Sequence, residues 1–468
     1  MLAHALALMM AAGAPSTDPT LGHETRQRID AIVTATMAHQ HLPGLSLAIA
    51  ARGGDLLYAR GYGYRDLAAR LPADENTVYN IASNTKQFTA AAIMLLAQGG
   101  KLTLDDRANA YVPEFRHGSE ITLRELLNHT SGIPDYADLP ALAHRATAKQ
   151  FVDLVRDVPL DFAPGSRFEY SNTNYVILGM IVEKTSGMPY GTFLSRRIFD
   201  PLSMTSASTR VVPASQPDGA VGYTFAGGRI VAAPQTPDDL GYGDGSINAS
   251  VLDLVKWDAA LDGAVVVDGA SWLAMTHAPL SSGYGPRGGY GFGLDLSTMY
   301  GTREIYHEGF NVGFGSVNAT FPDRGLTIVA LSNGDPFQED LFVRRIFAVI
   351  SPPSARDVAA EMRSAPGEDG AITAATARLI AQMQGGRVDA QSVTKGLAAR
   401  LTAMQARRIC EDAGARGAPK RLVYRGWQYR DETKVYSYEA YFASAIAAVE
   451  VTLSPERRIA SVDLARED

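Results

Sequence analysis

The tetrapeptide Ser83-Asn84-Thr85-Lys86 places a hydroxyl and an amine three residues apart. A free serine hydroxyl is a poor nucleophile and needs an adjacent base to take its proton. Residues three apart share one face of a helix, so the Lys86 amine can reach Ser83. Apolar surroundings would lower the pKa of that amine towards neutrality and let it accept the proton. The segment therefore predicts Ser83 as a nucleophile and Lys86 as its base.

The residues after Lys86 predict the helix that holds this pair. Apolar side chains recur there with a period near 3.6, at Phe88, Ala91, Ala92, Leu95 and Leu96. Gly99-Gly100 end the segment. Ser83 would then lie at the helix N-terminus, whose partial positive charge favours an oxyanion. A serine at a helix start is more often only an N-cap, so the tetrapeptide indicates catalysis only together with further motifs.

A second candidate is Tyr170-Ser171-Asn172, between a Pro-Gly turn and a predicted helix. A tripeptide at such a junction can project Tyr170 and Asn172 to one side. Tyr170 can share general-base work with Lys86 if cations lower its pKa. Asn172 can hydrogen-bond a substrate amide and fix Lys86. In isolation the alternative is a core tyrosine and a helix-capping asparagine.

A third candidate is His307-Glu308-Gly309-Phe310-Asn311, just before a predicted strand. Gly309 lets the backbone approach a substrate closely. The amides of Phe310 and Ser83 could form an oxyanion hole. His307 could offer a charge or hydrogen bond to a substrate carboxylate or to the hydroxyl relay. The alternative is a histidine on a surface loop.

The elements that must position these residues predict an α+β fold. A helix at 24–40 precedes strands Leu45–Ala50 and Leu56–Tyr62, which flank the hairpin turn Arg52-Gly53-Gly54-Asp55. Three further strands are predicted much later, at Tyr290–Leu296, Gly313–Phe321 and Leu326–Ser332, the last two joined by a turn at 322–325. Mostly helical sequence separates the two groups, which indicates one antiparallel sheet built from distant segments and flanked by helices.

A breaker-rich linker is predicted at 351–370, followed by a small α+β domain at 371–468. That domain contains two helical segments, 371–384 and 395–411, and then four strand-like runs. It holds no cluster that indicates catalysis, so a packing or ligand-presenting role is the simpler interpretation.

The N-terminus predicts export. Residues 1–14 are apolar and end in Ala12-Gly13-Ala14, which resembles a signal-peptide cleavage site, although the segment has no Lys or Arg. A periplasmic or secreted location follows. The single cysteine, Cys410, is compatible with the periplasm and rules out an intrachain disulfide.

Composition excludes several classes of protein. Of 468 residues, 46% are hydrophobic and 20% charged, which excludes wholesale disorder. Net charge is −7 with 43 basic and 50 acidic residues, which argues against a nucleic-acid partner. No run reaches the roughly 18 apolar residues of a membrane span, so stable membrane insertion is not expected.

The three motifs, in this order, resemble the serine β-lactamase and penicillin-binding group, specifically its class C β-lactamase and D-alanyl-D-alanine carboxypeptidase branch. The resemblance covers about 24–350 and includes ITLRELLNHTSGIPDY, GDGSINASVLDLVKWDAAL and YGFGL. It implies an antiparallel sheet flanked by helices plus an all-helical lobe, with the active-site cleft between them.

The resemblance also implies a role for each site residue. Ser83 would be acylated and Lys86 would accept its proton. Tyr170 would protonate the leaving group and help deacylation. Asn172 would bind substrate, with His307, Gly309 and Phe310 at the third motif on an edge strand. No metal or cofactor is implied.

The third motif departs from the Lys-Thr-Gly of class C β-lactamases, since this chain has His307-Glu308-Gly309. Histidine is mostly neutral above a pKa of about 6.5 and holds a carboxylate less firmly than lysine. The prediction is therefore a serine hydrolase that forms an acyl-enzyme on a small amide, peptide or ester, of the D-Ala-D-Ala peptidase or esterase type.

Three alternatives compete with this prediction. A β-lactamase would hydrolyse β-lactam antibiotics, and a penicillin-recognising sensor would be acylated without turnover. A scaffold without activity would need broken motifs, and these are intact. The sequence specifies neither the acyl donor nor the oligomeric state.

Overall fold

The computed structural model describes residues 21–138, 150, 153, 155–209, 217–234, 242–279, 288–335, 337, 339–365, 367–386, 388–389, 393–412, 419–430, 433–442 and 446–467. The predicted signal segment, 1–14, lies outside the described residues. Two compact units are present. The larger lies within 16–280 and 290–352, and the smaller is built from 353–468.

The helices of the described residues are α1 His23–Gln40, α2 Thr85–Gln98, α3 Leu123–Leu127, α4 Asn172–Ser186, α5 Tyr190–Leu194, α6 Val251–Asp262, α7 Gly269–Met275, α8 Glu339–Ile350, α9 Ala355–Glu361, α10 Gly370–Gln384, α11 Lys395–Arg400 and α12 Ala403–Asp412. Short 3-10 turns lie at Ala82–Asn84, Ala108–Ala110, Arg116–Ser119 and Tyr136–Asp138. A π-helical turn lies at Ser195–Phe199.

The strands are β1 Gly44–Ala51, β2 Leu56–Asp66, β3 Leu71–Pro72, β4 Tyr79–Asn80, β5 Tyr223–Ala226, β6 Arg229–Ala232, β7 Asn248–Ala249, β8 Gly289–Tyr290, β9 Asp295–Met299, β10 Thr302–Asn311, β11 Phe314–Phe321, β12 Leu326–Ser332, β13 Gly334–Asp335, β14 Arg421–Arg430, β15 Thr433–Tyr441, β16 Ile446–Leu453 and β17 Ile459–Glu467.

The larger unit is organised by an eight-stranded sheet in the order β3-β2-β1-β12-β11-β10-β9-β8. Strand β1 pairs antiparallel with β12 in the register Leu45 to Ser332, so the first and last parts of this unit meet at the centre of the sheet. This confirms the predicted α+β class and the antiparallel sheet assembled from distant segments.

Helices cover both faces of that sheet, which explains why β1 is buried along nearly its whole length. Alternate residues of β1 belong to the cores on opposite faces of the sheet. Leu45, Leu47 and Ile49 join the core formed with α1 and α8. Ala48 and Ala50 join the core formed with α2, α4 and α6. In the second core the ring of Phe88 stacks on Trp257 with centroids 4.1 Å apart.

The strand predicted at Tyr290–Leu296 was wrong in detail, because it is two short strands, β8 and β9, separated by a bend. Gly293 has φ +71°, and a Cβ there would lie 2.6 Å from the carbonyl oxygen of Lys86. The bend lets the backbone pass close to helix α2, which a continuous strand with a larger residue would prevent.

The smaller unit is an antiparallel sheet, β14-β15-β16-β17, packed with α10, α11 and α12 around its own core. The segment predicted as one helix at 395–411 is two, because the chain leaves the helical conformation at Leu401 and Thr402 caps the next helix by accepting from the Gln405 amide. The stretch predicted as a linker contains α9. No helix in the described ranges has both the length and the apolar run that a bilayer crossing requires.

Candidate active site

Ser83 lies in the single 3-10 turn Ala82–Asn84, directly before α2. Ala82 has φ +46°, in the left-handed region that non-glycine residues rarely adopt, at a cost of about 1 kcal/mol or more. The side-chain oxygen of Asn80 accepts from the Ala82 amide across 3.0 Å and holds this turn. The strained turn presents Ser83, whose side chain is partly exposed, at the start of a buried helix.

The amine of Lys86 is buried and has three hydrogen-bond neighbours. Its Nζ lies 2.9 Å from Oγ of Ser83, 2.8 Å from Oδ1 of Asn172 and 2.9 Å from the carbonyl oxygen of Asp244. The last two oxygens are acceptors only, so they take two N–H groups. When Lys86 is neutral, its lone pair is left for the hydroxyl proton of Ser83. The predicted contact between Ser83 and Lys86 is therefore present.

Burial lowers the pKa of the Lys86 amine to about 8, because desolvation disfavours its charged form. The carboxylates of Asp244, Asp135 and Asp295 raise the pKa and offset part of that effect. A pKa near the operating pH is what a general base requires, since a useful fraction is then unprotonated.

Asn172 is fixed at both ends of its side-chain amide. Oδ1 accepts from Lys86, while Nδ2 donates to Oδ2 of Asp135 across 2.8 Å. The backbone amide of Asn172 also donates to Oδ2 of Asp135, across 3.0 Å. The carboxylate thus sets the orientation in which Asn172 offers its oxygen to Lys86. These bonds orient the Asn172 side chain so that its oxygen faces the amine of Lys86.

Tyr170 stacks its ring beside the amine, with Nζ of Lys86 4.9 Å from the ring centroid. The ring also lies 4.4 Å from that of His129 and 6.2 Å from that of His307. All three predicted motifs therefore meet at one place. The negative face of the Tyr170 ring favours the protonated form of the nearby Lys86 amine.

His307 lies within β10 and is buried, so it is not a surface-loop histidine. Its Nδ1 is 2.5 Å from the carbonyl oxygen of Glu308, which can only accept, so Nδ1 carries a proton. Nε2 is 2.9 Å from the hydroxyl of Tyr290, which then donates to it. Burial, with the nearby charge of Lys86, lowers the pKa of His307 to about 3. His307 is consequently neutral and has both nitrogens occupied.

Gly309 brings β10 against the serine turn. A Cβ at Gly309 would lie 2.4 Å from the carbonyl oxygen of Ile81 and 3.1 Å from the amide nitrogen of Ser83. The pairing of β9 with β10 ends at Tyr306, so the motif lies just beyond that paired stretch. Phe310, the residue after Gly309, is 63% exposed.

A buried chain of polar side chains supports the turn from behind. Trp257 donates to Gln87, Gln87 donates to Asn84, and Asn84 donates to Oγ of Ser316, across 3.0, 2.9 and 2.9 Å. Oγ of Ser316 in turn donates to the carbonyl oxygen of Ile81 across 2.8 Å. The chain ties helix α2, the serine turn and strand β11 into one arrangement.

Sequence reasoning assigned no role to Asp135, Asp244 or Tyr290. Each lies in a stretch that had been noted for its family resemblance: SGIPDY, GDGSINAS and YGFGL. Their roles depend on contacts across the fold, and nothing in the local pattern indicates them. No group of three or more His, Cys, Asp or Glu side chains in the described part of the chain could hold a metal.

The sequence profile of the family described as Beta-lactamase matches residues 29–350. Penicillin-binding protein 4* of Bacillus subtilis (strain 168) is 32% identical over 305 residues, which are 61% of this chain and 67% of that protein. Other curated relatives are matched over 64% of their length, so the chain spans about two thirds of the relatives it matches.

Two of the solved structures that this chain resembles bear on its fold and family. The octameric penicillin-binding protein homologue from Pyrococcus abyssi has a TM-score of 0.64 at 23% identity, covering 94% of this chain and 98% of that chain, and supports the fold. D-amino acid amidase from Ochrobactrum anthropi SV3 has a TM-score of 0.61 at 26% identity, covering 70% of this chain and 98% of that one. With the family profile matching most of the chain, these findings establish that the protein belongs to the β-lactamase family of serine hydrolases.

Proposed function

We propose that the protein hydrolyses small amides or esters through an acyl-enzyme on Ser83, and that its preferred substrates carry no carboxylate at the position facing His307. The observation that supports the chemistry is the environment of Lys86. Two acceptor-only oxygens take two of its N–H groups, and its remaining valence faces Oγ of Ser83. This arrangement matches what activation of a serine requires.

In the proposed first step, Oγ of Ser83 bonds to the substrate carbonyl carbon while its proton passes to Nζ of Lys86. The carbonyl oxygen becomes an oxyanion and accepts from the amides of Ser83 and Phe310. The close packing of Gly309 on the Ser83 turn supports that placement. Fixed donors of this kind stabilise the transition state without reorganisation.

Collapse of this intermediate breaks the C–N or C–O bond. The Tyr170 hydroxyl gives its proton to the departing amine or alkoxide, and the proton on Lys86 returns to Tyr170. Water then attacks the acyl-enzyme and loses a proton to Lys86, which passes it to the departing Oγ of Ser83. Both bases end in their starting states, so the cycle closes without a cofactor step.

The state of His307 supports the proposed substrate preference. A carboxylate is best held by a cation that can also donate hydrogen bonds. His307 is neutral, its Nδ1 faces a backbone carbonyl and its Nε2 is taken by Tyr290. Penicillins and peptides ending in a free carboxylate would find no charge there, which favours neutral amides and esters.

The β-lactamase alternative needs firm binding of the carboxylate of a penicillin, and the same observation disfavours it. The sensor alternative differs from the proposed hydrolase only in the hydrolysis of the acyl-enzyme, which a sensor would not carry out. Burst kinetics without steady turnover would indicate the sensor.

The decisive experiment compares acylation and turnover in the purified full chain. A fluorophosphonate probe followed by mass spectrometry should place the adduct on Ser83, and the Ser83→Ala variant should remain unlabelled. Turnover is then measured on matched acyl donors: a D-Ala-D-Ala peptide with a free C-terminus, the same peptide as its C-terminal amide or methyl ester, and nitrocefin. We expect the neutral donors to be hydrolysed faster. Labelling of the Ser83→Ala variant, or faster turnover of the free acid, would refute the proposal.

A further inference from the structure

A pocket lies in the larger unit, and Gln87 of helix α2 is among its lining residues. Its walls come from helix α6, the β1–β2 hairpin and strands β10 to β12, and it encloses about 40 Å³. That exceeds the space one water molecule needs. The pocket is largely apolar, with Val255, Trp272, Leu294 and Ile305 among its lining residues. Ser83, Lys86, Tyr170, Asn172 and His307 do not line it, so it is separate from the active site.

Two buried side chains of this pocket have unsatisfied acceptors. Asp258 is 5% exposed and Asn318 is 2% exposed. Nδ2 of Asn318 donates to Oδ1 of Asp258 across 2.8 Å, so the two side chains are in direct contact. Among the described residues, neither Oδ2 of Asp258 nor Oδ1 of Asn318 has a hydrogen-bond partner. Two neighbouring acceptors are therefore buried without a donor.

Burying these two acceptors lowers the stability of the fold unless a bound group donates hydrogen bonds to them. A buried acceptor without a partner costs about 1–3 kcal/mol, and a buried carboxylate without a cation costs more. Burial raises the pKa of Asp258 to about 8, and the hydrogen bond from Asn318 offsets only part of that effect. The charged residues at the rim, Arg52 and Asp262, contact each other at 3.6 Å and compensate one another.

The ligand chemistry follows from these groups. Above the pKa of Asp258, about 8, one of the two acceptors is a carboxylate oxygen, so a matching ligand brings several donors and a positive charge, with no acceptor of its own to bury. A primary ammonium group has three donors and no acceptor. The apolar walls suit a short alkyl chain, and the limited volume restricts its length. A neutral alcohol has one donor, and an anion would be repelled by Asp258.

We propose that this pocket is a second binding site, which takes a small primary alkylammonium ion with its nitrogen against Asp258 and Asn318. The buried wall residue Gln87 connects the pocket to the active site, because its side chain donates to Asn84 beside Ser83.

The test uses n-propylammonium chloride as the probe, with propan-1-ol and sodium propionate as neutral and anionic controls of equal size. Isothermal titration calorimetry is run on the full chain at about pH 9, above the pKa of Asp258 and below that of the amine. Saturable binding is expected for propylammonium, with both controls binding at least about tenfold more weakly. Prior labelling of Ser83 with the fluorophosphonate should leave the binding intact, which separates this site from the active site.

Asp258→Asn keeps the shape and removes the charge, and it should weaken propylammonium binding by about tenfold or more. Asp262→Asn at the exposed rim is the matched control and should change the affinity by less than about threefold. Retained ester hydrolysis by each variant shows that it is folded, and Asn318→Leu provides a second test of the same contact. Equal binding of propan-1-ol, unchanged binding by Asp258→Asn, loss of binding on Ser83 labelling or no saturable binding would each overturn the proposal.

Discussion

The hydroxyl of Tyr290 donates to Nε2 of His307 across 2.9 Å, and this bond fixes the chemical character of the third motif. Because Nδ1 of His307 faces the carbonyl oxygen of Glu308, the ring has one donor and one acceptor, and both are used. A histidine at this position could have acted as a cation towards substrate. Here it is a neutral structural link between two strands.

Restoring a cation at position 307 should therefore change substrate choice. We expect His307→Lys to raise the ratio of kcat/KM for a free-carboxylate substrate over its neutral ester by about tenfold or more, since an ammonium group holds a carboxylate. The measurement is the pair of kcat/KM values in each variant. His307→Gln is the control, because it removes the ring without adding charge. An equal rise in the Gln variant would show that the effect comes from space and not from charge.

The pH dependence of the reaction should follow Lys86. Only the unprotonated amine can accept the Ser83 proton, so kcat/KM should rise with pH and level off above about 8, the pKa of Lys86. His307, with a pKa of about 3, cannot produce a rise near neutrality. The measurement is a pH–rate profile on a neutral ester, corrected for spontaneous hydrolysis. A plateau already reached at about pH 6 would contradict this assignment of the base.

The lowered pKa of Lys86 also determines how the stability of the fold changes with pH. The pKa of Lys86 is lowered on folding, from 10.5 to about 8. Between these two values the unfolded chain holds a proton that the folded chain has lost, so stability from this group increases with pH in that window. Lys86→Met removes the titrating group and should flatten this part of the unfolding free-energy profile, measured by denaturant titration at several pH values.

The carboxylate of Asp135 should support catalytic activity by holding Asn172 in position. Asp135→Ala removes the acceptor for both the side-chain and backbone N–H groups of Asn172, which frees the amide that positions Lys86. Removing a group that orients a functional side chain typically lowers activity by 10–100-fold, so we expect kcat to fall by about that factor. A shift in the pH–rate profile should accompany the loss, because the Asp135 carboxylate raises the pKa of Lys86.

Asp138→Ala is the matched control for this variant, because Asp138 lies three residues away in the same loop and is exposed. It should leave kcat within about twofold and the pH profile unchanged. If the two variants lose activity equally, the loss reflects the loop as a whole and not the contact with Asn172.

The parts of the site that the sequence predicted are those set by local geometry. The contact between Ser83 and Lys86 follows from helix spacing, and Tyr170 and Asn172 flank a helix start that the pattern indicates. The sequence did not predict the neutral state of His307, because this depends on Tyr290 from another strand. The role of Asp135 likewise depends on the fold, since a carboxylate in a loop carries no local signal for a partner in α4.

The same distinction explains the errors in the fold. Strands β11 and β12 were predicted well because both are apolar runs joined by a turn. Tyr290–Leu296 is also rich in apolar residues, yet Gly293 must approach the Lys86 carbonyl, so the strand bends. This requirement comes from the contact with Lys86 in helix α2, and local strand propensity carries no information about such a contact.

The final prediction concerns the close approach of β10 to the serine turn. In Gly309→Ala the new methyl group would lie 2.4 Å from both the Ile81 carbonyl oxygen and Oγ of Ser316, so the strand must move away from Ser83. We expect kcat to fall by about 10²-fold, the loss seen when one oxyanion donor is displaced. The overpacking should also cost about 1–3 kcal/mol of stability. Gly269→Ala is the control, since a Cβ there meets nothing within 4 Å, and it should leave kcat and stability nearly unchanged. Steady-state kinetics with thermal unfolding measures both quantities. A Gly309→Ala variant with normal kcat would show that the Phe310 amide does not serve the oxyanion.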